Sequence, residues 1–118
     1  HMRGMAKLVE SLKAVPEGNG TMFDSTMIFY LSSQGETHHS SGVEWPFVIM
    51  AGQNAKLNLG SRYIRLPGYG QEGHKTLGNL YTTLLNAYGN PIKHYGEFDL
   101  GLNKYRIDQS GPIKKFLG

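Results

Sequence analysis

The chain has 118 residues, a formal net charge of +3 and no cysteine, and 39% of its residues are hydrophobic. One globular domain of this size can bury about two-thirds of its unfolded surface, so it can hold a core without metal or disulfide staples. The lysines and arginines form no dense block, and no apolar run approaches the roughly 18 residues of a membrane span, so we expect neither nucleic acid nor membrane as partner.

A first helix is predicted by apolar residues that recur at the spacing of one helical face. These residues are Met5, Leu8, Val9, Leu12 and Val15. Pro16 ends the helix, because the residue before a proline is disfavoured in the α conformation. Residues 16–20 then have the composition of a turn. His1 and Met2 resemble the remnant of an expression tag, and they are left out of the domain.

Two short apolar runs, residues 26–31 and 45–51, predict strands that are covered on both faces. Pro46 is tolerated in the second run because it stands near the first residue of the strand. Residues 63–66, ended by Pro67, are predicted as a short edge strand.

A second helix is predicted by a wide apolar stripe, which we interpret as facing the core. The stripe consists of Leu77, Leu80, Tyr81, Leu84, Leu85 and Tyr88. Thr76 is the predicted N-cap, since its hydroxyl can accept an unpaired amide of the first turn. Gly89, followed by Pro91, predicts a left-handed helix end.

These elements predict an α/β fold, with a small mixed sheet of two to four strands flanked by two amphipathic helices. Residues 3–100 form a single module, and residues 101–118 are predicted as an extended C-terminal tail. A sheet this narrow needs other structure to cover its edges. We therefore expect either a homo-oligomer or contact with a missing N-terminal part of a longer protein.

The polar loop between the two apolar strands contains the candidate site. Loops at strand ends in open α/β sheets are where ligands usually bind. Glu36, His38 and His39 offer carboxylate oxygen and imidazole nitrogen, which suit zinc or another divalent metal. Two interpretations stay open, namely exposed loop histidines or a site in which at least one of them binds. No other cofactor is indicated, and no nucleotide-binding or metalloprotease motif is present.

Two further histidines have structural or surface roles in our interpretation. His74 directly precedes the second helix, where the positive end of the macrodipole disfavours a protonated imidazole. His94 follows that helix in a loop.

Four segments, in this order, resemble an uncharacterised family of exported bacterial proteins. Residues 16–30, PEGNGTMFDSTMIFY, resemble its PEGxGTxLDxTxxxY stretch, and residues 45–52, WPFVIMAG, resemble its LPxVLAGG strand. Residues 61–65, SRYIR, resemble GRYLR, and residues 79–96, NLYTTLLNAYGNPIKHYG, resemble NLLxTLLxAxGxPxxxFG. The resemblance covers roughly residues 7–98 and implies a periplasmic or extracellular location.

That family is similar to the C-terminal part of the sulfatase and alkaline-phosphatase-like superfamily, where a strand ending in Ser-Asp-His-Gly supplies metal ligands. By position, Ser33 and Gln34 stand in place of the Asp and His, and His38 or His39 stands at a later His. The resemblance therefore implies the C-terminal subdomain of an alkaline-phosphatase-like fold without its first metal pair. We expect a non-catalytic C-terminal module of a sulfatase- or phosphatase-like protein with a residual metal site. The alternative is a structural or protein-interaction domain with no metal role.

Overall fold

The structure, a computed structural model, describes residues 1–32 and 45–118. Its regular elements are helix α1 (Met2–Lys13), strands β1 (Pro16–Glu17), β2 (Gly20–Thr21), β3 (Met27–Leu31) and β4 (Phe47–Ala51), helix α2 (Leu77–Ala87), and the short 3₁₀ helices Met22–Ser25, Gln53–Ala55, Leu100–Tyr105 and Lys114–Phe116. The fold is α/β as predicted. The described strands, however, form two separate antiparallel pairs and not one mixed sheet.

Helix α1 and the turn after it follow the sequence prediction. The amide of Ala14 still donates to the carbonyl of Glu10 at 3.0 Å, and Pro16 then opens β1. Strands β1 and β2 pair around Gly18, whose φ of +58° is a conformation that glycine adopts without a steric cost. The hairpin leads through the 3₁₀ turn Met22–Ser25 into β3.

Strands β3 and β4 form a two-stranded ribbon, in register from Met27 opposite Ala51 to Leu31 opposite Phe47. The inner face of the ribbon includes Phe29, Phe47 and Ile49, which pack against the hydrophobic core. By the alternation of strand side chains, Ile28, Tyr30, Val48 and Met50 lie on the outer face. The strands are covered only in part on each face, because their residues are half-buried apart from Leu31 and Val48, which are exposed.

Residues 63–66 are not a strand, although their burial alternates as a strand's would. Ile64 and Leu66 are half-buried against the core, whereas Tyr63 and Arg65 are exposed. No strand pairs with this extended segment in the part of the chain that the structure describes. Alternating hydrophobicity reports burial on one side, and it does not require a backbone partner.

Helix α2 has the predicted caps but not the predicted buried face. The Thr76 hydroxyl accepts the Asn79 amide at 3.2 Å, and Gly89 has φ +82°. The buried side chains are Asn79, Leu80, Thr82, Thr83 and Ala87, whereas Tyr81 and Tyr88 are exposed. The helix therefore buries a largely polar face, and only Leu80 of the predicted stripe is fully buried.

The polar face of α2 holds the C-terminal segment in place. The Asn79 amide nitrogen donates to the carbonyls of Gln109, Ser110 and Gly111, at 2.9, 3.1 and 2.9 Å. The Thr83 hydroxyl accepts the backbone amide of Ile113 at 2.7 Å. These side chains supply the hydrogen bonds that an extended chain lacks when it does not join a sheet.

The core is small and is completed by residues close to the C-terminus. Leu80 of α2 packs with Ile113 and Phe116, and the inner face of the ribbon covers them. Leu102 is fully buried in the 3₁₀ helix Leu100–Tyr105. The boundary at residue 100 stays a prediction, but residues 101–118 do more than lie on the module, since they supply part of its core.

Candidate functional site

The predicted metal residues Glu36, His38 and His39 lie in the connection between β3 and β4, which is outside the described residues. Leu31, the last residue of β3, pairs with Phe47, the first residue of β4. The connection therefore leaves and returns at the same end of the ribbon. The metal site itself remains a prediction.

The histidines outside that connection are His1, His74 and His94. Within residues 1–32 and 45–118, no group of three or more His, Asp and Glu side chains lies close enough to hold an ion. The rings of His94 and Phe98 lie 4.2 Å apart, and both ring nitrogens of His94 are buried without a hydrogen-bond partner. His74 is buried, and its Nδ1 atom lies 2.9 Å from the carbonyl oxygen of Pro67.

The most prominent feature of the N-terminal half is an uncovered apolar surface. Helix α1 has an apolar stripe, yet none of its residues is fully buried: Met5, Val9 and Leu12 are half-buried, and Leu8 is exposed. The residue before the N-terminus of α1 lies beside β3, where the His1 ring is 6.5 Å from the Tyr30 ring, and the C-terminal end of α1 lies beside the 3₁₀ turn Met22–Ser25, where the Lys13 ammonium is 5.2 Å from the centre of the Phe23 ring. We call the exposed apolar side chains of this half the open surface, and they are Met2, Leu8, Val15, Met22, Leu31 and Val48.

The ribbon adds unpaired backbone to the open surface. Strand β3 pairs only with β4 among the described residues, so each strand has one edge without a partner. Neither strand contains a charged residue, and charged residues are what natural proteins place on edges to prevent pairing. Pro46 stands beside β4, which blunts that edge, whereas no proline adjoins β3. The edge of β3 is therefore the more open of the two.

The described surface includes two cavities with partly polar linings. One, of about 550 Å³, is lined by the β1–β2 turn and by residues 53–54. Its Asp24 carboxylate already accepts the Thr21 amide at 2.7 Å and the Thr21 hydroxyl at 3.1 Å, so it serves the local turn. The other, of about 410 Å³, lies between residues 72–75 and 105–108 and contains His74.

Comparison of the chain with protein-family models, with curated proteins and with solved structures finds no match. In the described part of the chain, no helix has both the length and the apolar character needed to cross a membrane.

Sequence reasoning found the open surface only indirectly. It predicted that a narrow sheet needs covering, but it placed the uncovered surface on the strands alone and interpreted α1 as part of the cover. The cavity beside His74 was missed altogether. Its lining comes from two segments about 30 positions apart in the chain, and no local pattern joins them.

Proposed function

We propose that this chain is a non-catalytic interaction module and that a second copy of the chain covers its open surface. The observation that carries the proposal is that helix α1 has an apolar stripe without one fully buried residue, next to a ribbon whose edges are unpaired among the described residues. Exposed apolar patches on soluble proteins mark interaction sites.

The free edge of β3 supports a second copy as the partner. Two identical β3 edges can pair antiparallel about a two-fold axis and so form a four-stranded sheet from two ribbons. The strand sequence MIFYL has no charge that would repel its own copy. A sheet of four strands with a helix beside each half is also closer to the size that is independently stable.

The expected affinity is modest. Complete burial of one large apolar side chain contributes about 1.5–3 kcal/mol, so covering six half-exposed ones in each of two copies contributes roughly 9–18 kcal/mol to the dimer. Association itself costs about 4–15 kcal/mol, which consumes most of that gain. The backbone hydrogen bonds of the β3 pairing supply the rest, and we expect a dimer that forms at tens of micromolar, roughly the range of −6 to −7 kcal/mol.

The non-catalytic part of the proposal rests on the resemblance to the sulfatase and alkaline-phosphatase-like superfamily, which implies that Ser33 and Gln34 stand where its Ser-Asp-His-Gly stretch has Asp and His. A catalytic zinc site uses about three protein ligands. The proposal also includes a residual metal site at Glu36, His38 and His39. It further includes an origin as a subdomain of that fold and an exported location. Elemental analysis after addition of zinc tests the metal site. One zinc per chain in the natural sequence, and none in His38→Ala, would support it.

Light scattering on the purified chain tests the docking proposal. We expect a mass of twice 13.1 kDa at tens of micromolar for the natural sequence. Leu31→Lys at the β3 edge and Leu8→Lys on α1 should both give monomers. Tyr63→Lys is the matched control, because it adds the same charge at an exposed aromatic residue outside the open surface, and it should stay dimeric. A monomer of the natural sequence would reject a second copy as the partner and would favour another part of a longer protein.

A further inference from the structure

We infer that the cavity between residues 72–75 and 105–108 binds a small organic anion through a phosphate or carboxylate group. The cavity has a volume of about 410 Å³, within the range of small-molecule sites. Its lining shares no residue with the open surface, and the inference does not depend on the proposed docking role.

His74 provides a polar atom on a rigid wall of this cavity. The side chain is 8% exposed, and its Nδ1 lies 2.9 Å from the Pro67 carbonyl oxygen. Because a carbonyl only accepts, Nδ1 carries the hydrogen and the tautomer is set. The other nitrogen, Nε2, makes no hydrogen bond within the described residues and, unlike the nitrogens of His94, is not sealed from solvent. It can accept a ligand hydroxyl, or bind a ligand oxygen after protonation.

Of the charged groups that line the cavity with His74, the Arg106 guanidinium is the one that can bind an anion. Arg106 has no ion-pair or hydrogen-bond partner for its guanidinium among the described residues, and Lys75 makes only a 3.5 Å contact with the Asp108 carbonyl. Of the two carboxylates, Asp108 is already engaged. Its Oδ1 accepts the Ser110 hydroxyl at 2.7 Å and the Ser110 amide at 2.9 Å, and these bonds hold the pKa of Asp108 below its usual value. The Lys75 ammonium also lowers the pKa of Asp108, so Lys75 and Asp108 offset each other, and Glu72 and Arg106 are the lining charges without an ion-pair partner among the described residues.

The backbone at Arg106 is held in an unfavourable conformation. Its φ of +53° and ψ of +37° lie in the left-handed region, where glycine would fit without a steric cost. Strained residues of this kind cluster at ligand sites, where the gain from the side chain offsets the strain. The guanidinium is also the group best suited to bind the planar edge of a carboxylate or the oxygens of a phosphate.

The apolar wall of the cavity indicates that the anion has a flat body. Tyr105 and Ile107 line this side. The Tyr105 ring meets the Tyr69 ring edge-on at 6.5 Å, and the Tyr69 hydroxyl donates to the Asp99 carboxylate at 2.7 Å. These contacts fix the position of the wall. The Lys104 ammonium lies 4.9 Å from the centre of the Tyr105 ring, so a ligand ring stacks on the opposite face of Tyr105 while its charged group reaches Arg106.

Binding is measured by NMR titration of the whole chain with phenyl phosphate and with benzoate, with inorganic phosphate and neutral benzyl alcohol as comparisons. We expect saturable shifts at residues 72–75 and 105–108 with at least one of the two aromatic anions and none with benzyl alcohol. The tighter of the two aromatic anions identifies the charged group, and weaker binding of inorganic phosphate would confirm the role of the apolar wall.

Arg106→Gly separates binding from folding. This variant should weaken binding of the anion at least tenfold, while the unfolding midpoint stays the same or rises because the backbone strain is relieved. Lys75→Gln should also weaken binding of the anion. Lys56→Gly is the matched control, since Lys56 also has a left-handed φ of +51° and lies outside the cavity lining. The inference fails if neither aromatic anion binds below about 10 mM, or if Lys56→Gly weakens binding as much as Arg106→Gly.

Discussion

Replacement of Asn79 by alanine tests whether α2 holds the C-terminal segment in the core. The Asn79 side chain is fully buried, and its amide nitrogen lies within 3.1 Å of three carbonyl oxygens of the segment. One NH₂ group has two hydrogens, so it makes two good bonds or shares one hydrogen between two acceptors. Its oxygen Oδ1 also accepts the Thr76 amide at 2.9 Å.

The expected loss of unfolding free energy in Asn79→Ala is large for one polar residue. Three lost side-chain bonds, two from the NH₂ group and one to Oδ1, account for about 3 kcal/mol, and each buried carbonyl or amide left unpaired adds about 1–3 kcal/mol. Partial access of water after truncation reduces the sum, and we expect Asn79→Ala to lower the free energy of unfolding by about 3–5 kcal/mol. Such a loss is a sizeable part of the roughly 5–15 kcal/mol that stabilises a typical domain.

Urea unfolding followed by circular dichroism measures this loss, and Asn86→Ala is the control on the same helix. The Asn86 amide donates to the Thr82 carbonyl at 2.8 Å and only distantly to that of Ile92, at 3.4 Å. Its removal should cost about 1 kcal/mol. If Asn79→Ala and Asn86→Ala were equally stable, the C-terminal segment would not be anchored as described.

Three other predictions follow from the same structure. Leu80→Ala should cost about 2–5 kcal/mol in the same urea assay, because Leu80 is 2% exposed at the centre of the core, and an unchanged midpoint would show that the core is wrongly assigned. The hydrogen bond to Asp99 raises the pKa of the Tyr69 phenol, so the contribution of this bond to stability should be present at neutral pH and lost as the pH rises through that raised pKa. The tyrosinate absorbance of Tyr69 is obtained by subtracting the titration of Tyr69→Phe from that of the natural chain. The same difference measured in the Asp99→Asn background should appear at lower pH. The isolated chain should hydrolyse no aryl phosphate or sulfate with or without divalent metal, and a metal-dependent rate abolished by His38→Ala would contradict the non-catalytic assignment.

The elements with strong local signals were predictable from the sequence. The spacing of Leu8, Val9 and Leu12 predicted α1, and Thr76 and Gly89 marked the ends of α2. Local hydrogen bonding and backbone preference determine these features, so a short window of sequence contains their cause.

The packing was less predictable, because it depends on residues far apart in the chain. The apolar stripe of α2 predicted that Tyr81 and Tyr88 face the core. The buried positions include instead Asn79 and Thr83, whose hydrogen-bond partners are about 30 residues away in the chain. Nothing in the periodicity of α2 shows that an extended segment will need its amides and carbonyls paired there. The cavity at His74 is hidden for the same reason.

Amide hydrogen exchange at two protein concentrations tests the central claim, that a second copy covers the open surface, most directly. Between about 1 and 100 micromolar, a range that spans the expected dissociation constant, protection of Met27–Leu31 and of α1 should rise with concentration. Protection of α2 should change far less, because its bonds lie within one copy. Equal protection of β3 at both concentrations, with α2 as the internal reference, would contradict the claim.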